Sequence, residues 1–183
     1  DFSYLNSVLS PNSLNLIYYP LHLYNMNDVA PERSGTAYCL RKGRDRKIQH
    51  DLTDSILIDG LSHEEIAAIF KRVKTFISYD LYTAYSVFAA LCGCDSVVLP
   101  KEGVTKENWY PNLESRYGMA YGFDDLEFAS NTRALLLEKI QKDHEANATR
   151  VSVFIQETND FFNNSKSFSC SFLFIEDNEG LRS

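Results

Sequence analysis

KTFISYDLYTAYSVFAALCGCDSVVLP, residues Lys74–Pro100, reads as strand, tight turn, helix and strand. Phe76, Ile77 and Ser78 form a short strand-favouring run, and Ser96–Leu99 form another with paired valines, so both suit a buried parallel strand. Between them Asp80 is expected as N-cap of a helix over Thr83–Cys92, with Gly93 as its stop. Ala84, Ala89, Ala90 and Cys92 are small enough to let that helix lie close on a sheet. A helix N-terminus at the carboxyl end of a strand offers amides and partial positive charge, which favour a diphosphate. Thr83 and Ser86 would add hydroxyls near that end.

Working outward, Ser62-His63-Glu64-Glu65 is a capping box, and Ile66, Ile69, Phe70 and Val73 follow at helical spacing. Ser55–Asp59 precede it as a strand ended by Gly60. Thr36–Leu40 is another strand, closed by Arg41-Lys42-Gly43 and followed by a polar crossover, GRDRKIQHDLTD. Leu16–Tyr19 is a further strand candidate, ended by Pro20. Strands alternating with helices in this order predict an α/β fold: a Rossmann-like, mostly parallel sheet with right-handed crossovers and helices on both faces. Such a sheet binds ligands beyond its carboxyl ends. Downstream, Lys101–Pro111 reads as a polar loop holding Trp109, and RYGMAYG, Arg116–Gly122, as a short Tyr/Gly-rich segment. One helix is expected over Leu126–His144 and a second, amphipathic one through Val151, Phe154, Ile155, Thr158 and Phe162. The chain thus divides into an N-terminal segment, 1–35, an α/β domain, 36–162, and a C-terminal tail, 163–183, whose Phe172–Ile175 is apolar.

The 183 residues suit one domain, and 44% hydrophobic with 23% charged residues is ordinary for a globular chain. With 18 Lys and Arg against 25 Asp and Glu, the formal charge is −7, which argues against a general nucleic-acid binder. No apolar run reaches membrane-spanning length and no signal segment opens the chain, so a cytoplasmic protein is expected. The start at Asp1 without Met suggests a piece of something longer. Cys39, Cys92, Cys94 and Cys170 read as small packing residues, because C-G-C is not the spacing of metal or redox pairs. His22, His50, His63 and His144 are scattered, with no metal-ligand spacing, although His50-Asp51 could fall near the sheet end. Asp124-Asp125 reads as a helix cap. Asn147-Ala148-Thr149 and Asn163-Asn164-Ser165 match the glycosylation acceptor pattern by chance. No glycine-rich phosphate loop or nucleophile elbow is present. Arg41 and Lys42, just past a strand's carboxyl end, are placed either to neutralise a diphosphate or to form a solvated turn.

Two segments carry a resemblance. ILIDGLSHEEIAAIFKRVKTFISYD and FAALCGCDSVVLP resemble the C-terminal, donor-binding half of two-domain GT-B glycosyltransferases, especially bacterial enzymes of surface polysaccharide synthesis, over roughly Thr36–Phe162. The resemblance implies a hexosyltransferase-type enzyme that moves a sugar from a nucleotide-sugar to a glycan acceptor without a metal or other cofactor. It implies that Arg41 and Lys42 meet the diphosphate, that Ile58 and Asp59 meet the base, and that Tyr79, Asp80, Thr83 and Ser86 line the sugar-phosphate end. Aligned on Cys92-Gly93, the family's paired acidic positions fall on Asp80 and Phe88. A phenylalanine cannot accept hydrogen bonds from ribose hydroxyls, so the ribose contact and the retaining or inverting outcome are left unassigned. The partners implied are the nucleotide-sugar and a preceding acceptor-binding domain that would carry any general base, with peripheral membrane association only through the full-length protein. The rival readings are a non-catalytic α/β nucleotide-binding or protein-interaction module and, less favoured for want of its motifs, a nucleotide-sugar epimerase.

Overall fold

The computed structural model describes residue 14 and residues 16–164. The chain divides into two units, one of residues 17–146 and another to which the described residues from 147 onward belong. The first contains a five-stranded, all-parallel sheet in the order β2-β1-β3-β4-β5. Its strands are β1 (Thr36–Cys39), β2 (Ser55–Leu57), β3 (Thr75–Ser78), β4 (Asp95–Val98) and β5 (Met119–Tyr121). In register, Tyr38 faces Leu57 on one side and Ile77 on the other, while Ile77 faces Val97. The α/β expectation therefore holds, and the order is that of a doubly wound Rossmann-like sheet.

Helix α1 (His63–Phe70) starts at the expected capping box: Ser62 Oγ accepts from the Glu65 amide while the Glu65 carboxylate accepts from the Ser62 amide. Ile66, Ile69 and Phe70 are buried as its spacing requires. Helix α2 (Ala84–Leu91) starts one step later than expected, because Thr83, not Asp80, is its N-cap. Gly93 ends it with φ 81°, and a Cβ there would meet Met26 Sδ at 2.6 Å. Alternation along the strands separates two cores. Ala37, Cys39, Phe76 and Val98 pack with α1 and α2, whereas Tyr38, Ile77, Tyr79, Val97 and Ala120 pack with Ile48, Leu126 and Ala129.

Four expectations change. Leu16–Tyr19 has no regular secondary structure. Trp109 belongs to the short helix α3 (Lys106–Trp109), is buried, and donates its indole N–H to Leu81 O at 2.7 Å. RYGMAYG contains the edge strand β5, whose Tyr121 hydroxyl reaches Val104 O at 2.6 Å, so Tyr121 is a core residue and Tyr117 packs partly buried against the core. The two expected C-terminal helices are one, α4 (Leu126–Asn164), since nothing between His144 and Val151 breaks it. Residues 1–13 and 165–183, including Phe172–Ile175 and Cys170, lie outside the described residues. Among the described residues no helix is long and apolar enough to cross a membrane.

Candidate functional site

In the order β2-β1-β3-β4-β5, the chain leaves β1 toward one edge and β3 toward the other. A doubly wound sheet opens its ligand crevice at that divergence, beyond the carboxyl ends of β1 and β3. There the chain turns sharply through Arg41–Gly43. Arg41 adopts φ 43°, a left-handed conformation rare for a side-chain-bearing residue. Asp59, just past β2, supports it: its Oδ2 accepts the Leu40 and Arg41 amides at 3.2 and 2.9 Å. Gly43 is required because a Cβ there would lie 2.2 Å from Tyr79 O. The Arg41 guanidinium lies 5.3 Å from the Tyr85 ring centroid. Lys42 is exposed.

The opposite wall is the link from β3 to α2. Asp80 is buried, with Oδ1 accepting the Tyr82 amide at 3.0 Å and its carbonyl accepting the Ser78 hydroxyl at 2.6 Å. Thr83 Oγ1 accepts the Tyr85 amide at 3.3 Å, and the Ser86 amide donates to Thr83 O. Two amides of the helix start are therefore already used, fewer being left for an anion than the sequence suggested. Arg41, Asp59 and Asp80 converge on Cys39, whose thiol burial pushes up to about 12, with both carboxylates adding and Arg41 opposing.

Of the anticipated residues, Arg41, Asp59 and Asp80 come together around Cys39, Lys42 follows Arg41 in the same turn, and Thr83 caps α2 three residues after Asp80. Three do not. Ile58 is fully buried and its amide extends the β1–β2 ladder through Tyr38 O. Ser86 is 2% exposed, on the core side of α2, and its carbonyl accepts from Ser96 Oγ. The Tyr79 side chain crosses to the other face of the sheet, as the period of two along β3 dictates. Phe88, aligned with the second acidic position, stacks on Tyr24 at 4.1 Å with an interplanar angle of 6° and is 6% exposed. Its position belongs to the core between α1 and α2.

On Tyr79's side the crossover from β1 to β2 folds over the strand ends. The Arg46 guanidinium donates to Tyr79 O, Leu99 O and Pro100 O at 2.7, 3.1 and 2.7 Å, pinning the loop to β3 and β4. Tyr79 Oη accepts the Gln49 amide at 2.7 Å and lies 2.8 Å from His50 Nδ1. Burial lowers the His50 pKa, and neighbouring Asp51 works against this. His50 also borders a cavity of about 360 Å³ that reaches Pro100, past β4, and Gly122, past β5. Nothing in GRDRKIQHDLTD marks Arg46 as the anchor, since its acceptors are main-chain carbonyls about 33 to 54 residues away.

Asp125, read as a cap, instead accepts Lys106 Nζ at 2.6 Å and the Tyr121 amide at 3.1 Å, with Arg116 at 3.7 Å. Cys92 and Cys94 are buried free thiols, pushed up by burial to about 11 and about 12. Among the described residues no three His, Cys, Asp or Glu side chains group as a metal site. No family model matches the chain, and neither a curated protein nor a solved structure matches it.

Proposed function

We propose that this chain is the donor-binding part of a glycosyltransferase and holds a nucleotide-sugar by its diphosphate between the Arg41-Lys42 turn and the start of α2. The observation that carries the reading is the Arg41 turn: a left-handed bend beyond β1, clamped by Asp59, that sets two basic side chains at the divergence point of the sheet. A turn fixed before binding loses little freedom when a ligand docks, so its charges act at low entropic cost. In transfer, negative charge develops on the leaving diphosphate, and fixed cations beside it lower the barrier. Asp59 takes the role of a positioning residue. Ser86, Ile58 and the Tyr79 side chain take no part, and no general base is assigned on this chain. The nucleotide-sugar is the substrate, and the resemblance to GT-B donor halves supplies the hexosyl class.

The test is titration calorimetry of the chain with UDP, GDP, CDP, dTDP and their sugars, without added metal. Saturable binding of one nucleotide, weakened about tenfold or more in Arg41→Ala or Lys42→Ala with the melting temperature kept, is the expected result. Absence of binding to all of them, in this chain and in any longer chain that contains it, would favour the non-catalytic interaction module. The observation on that side is that Asp80 Oδ1 and Thr83 Oγ1 already hold local amides.

A further inference from the structure

We propose that the cavity between the His50 loop and the segments following β4 and β5 is a second binding site, for a neutral hydroxyl-bearing ring such as a monosaccharide unit. Tyr79 Oη already accepts the Gln49 amide, and the proposal assigns its own proton to the acceptor within reach, His50 Nδ1 at 2.8 Å. The remaining imidazole proton is thereby assigned to Nε2. The His50 Nε2 atom is buried and has no hydrogen-bond partner among the described residues. An orphaned donor of this kind costs stability that a packed fold ordinarily avoids, and it marks a place where a partner is supplied from outside.

The rest of the lining states what that partner is. The cavity, about 360 Å³, falls within the range of small-molecule pockets, about 300–1,000 Å³. Among the described residues no lysine or arginine borders it, so they offer an anion such as phosphate no counter-charge there. Asp124, on the turn after β5, is its one carboxylate among the described residues and accepts hydrogen bonds, which calls for a donor on the ligand. Leu99, Pro100 and Phe123 supply apolar surface, and Phe123 is 52% exposed. A ring that presents hydroxyls, each both donor and acceptor, along its edge and C–H groups on its face satisfies the imidazole N–H, the carboxylate and the apolar wall together. Nε2 has no accessible surface of its own, so the proposal requires the ring to reach it by turning aside Gln49 or Phe123, both exposed side chains of the wall. The proposal does not depend on nucleotide binding at the Arg41 turn, and the ring could belong to a donor or to an acceptor.

The experiment is NMR of the chain labelled with ¹⁵N-histidine, titrated with glucose, galactose, mannose, rhamnose and N-acetylglucosamine. Inorganic phosphate, UDP and UDP-sugars serve as comparison ligands. The His50 ring signals, assigned by their loss in His50→Gln, should report the Nε2–H tautomer and shift saturably with at least one sugar. Asp124→Ala, a change at an exposed side chain, should weaken that binding about tenfold while the fold is kept. A shift with a UDP-sugar but not UDP assigns the ring to the donor; a shift with free sugars alone assigns it to an acceptor. Sugar binding together with absent nucleotide binding upholds the pocket and rejects the donor reading. The proposal is overturned if the Nδ1–H tautomer is found, if no sugar moves the His50 signals, or if phosphate moves them as strongly as the sugars do.

Discussion

At the scale of single residues, Gly43 and His50 carry the sharpest consequences. The Arg41 turn approaches β3 so closely that a methyl group at position 43 would meet backbone, not a flexible side chain. Gly43→Ala should therefore destabilise the chain by about 3 kcal/mol or more, read as a fall in the urea midpoint at constant slope. An unchanged midpoint would mean that the turn lies further from Tyr79. His50 is partly buried and its folded pKa is lowered, so the folded state binds its proton less readily than the unfolded chain does. Its contribution to stability is then complete above the unfolded value of about 6.5 and lost as pH falls from there through the folded pKa. Denaturant titrations between neutral and mildly acidic pH should show this loss, and His50→Gln should flatten it. The facing groups Asp51 and Tyr79 do not reverse the direction, because burial is the larger cause.

At the scale of elements, the connection from β4 to β5 is held by a charge cluster as well as by apolar contact. Asp125 is 6% exposed and binds Lys106, Arg116 and the Tyr121 amide, while Arg116 lies 4.2 Å from the Phe128 ring centroid. Removing one member of a buried pair leaves the others uncompensated. Asp125→Ala should cost about 3 kcal/mol in chemical denaturation, more than a surface ion pair could account for. Ser62 at the head of α1 offers a milder contrast. Its loss in Ser62→Ala removes one cap and should cost about 1 kcal/mol at neutral pH. The partner Glu65 has its pKa lowered by its bonds to Ser62, the backbone amide first, so the carboxylate's contribution is present above the unfolded carboxylate pKa and fades as acid protonates the group. A destabilisation in Glu65→Ala that stays the same in acid would contradict the capping box.

At the scale of the whole molecule, both hydrophobic cores are built from residues between Tyr19 and Ile140, within the unit of residues 17–146. A chain trimmed to those residues should unfold in one cooperative thermal transition by circular dichroism. A broad, non-cooperative melt would show that the sheet needs the remainder. The doubly wound order also explains why the candidate site is divided. The Arg41 turn lies on the side of α1 and α2, and the His50 cavity lies on the other, because successive side chains of β1 and β3 point to opposite faces.

Much of this was legible in the sequence, because local signals act over short distances. The capping box, the glycine after α2, the valine-rich strands and the strand-helix alternation were enough to define the α/β class and to put Arg41, Asp59, Asp80 and Thr83 near one sheet end. The single helix over Leu126–Asn164 and the buried turn of Trp109 were misread because propensity there is weak and packing decides. Only the tertiary structure decided which side of the sheet each candidate faces. A one-residue step along a strand sends Tyr79 away from Asp80, and the helical face carries Ser86 and Phe88 into the core. Arg46, His50 and Asp125 found their partners through contacts that span the chain, and no local pattern encodes those.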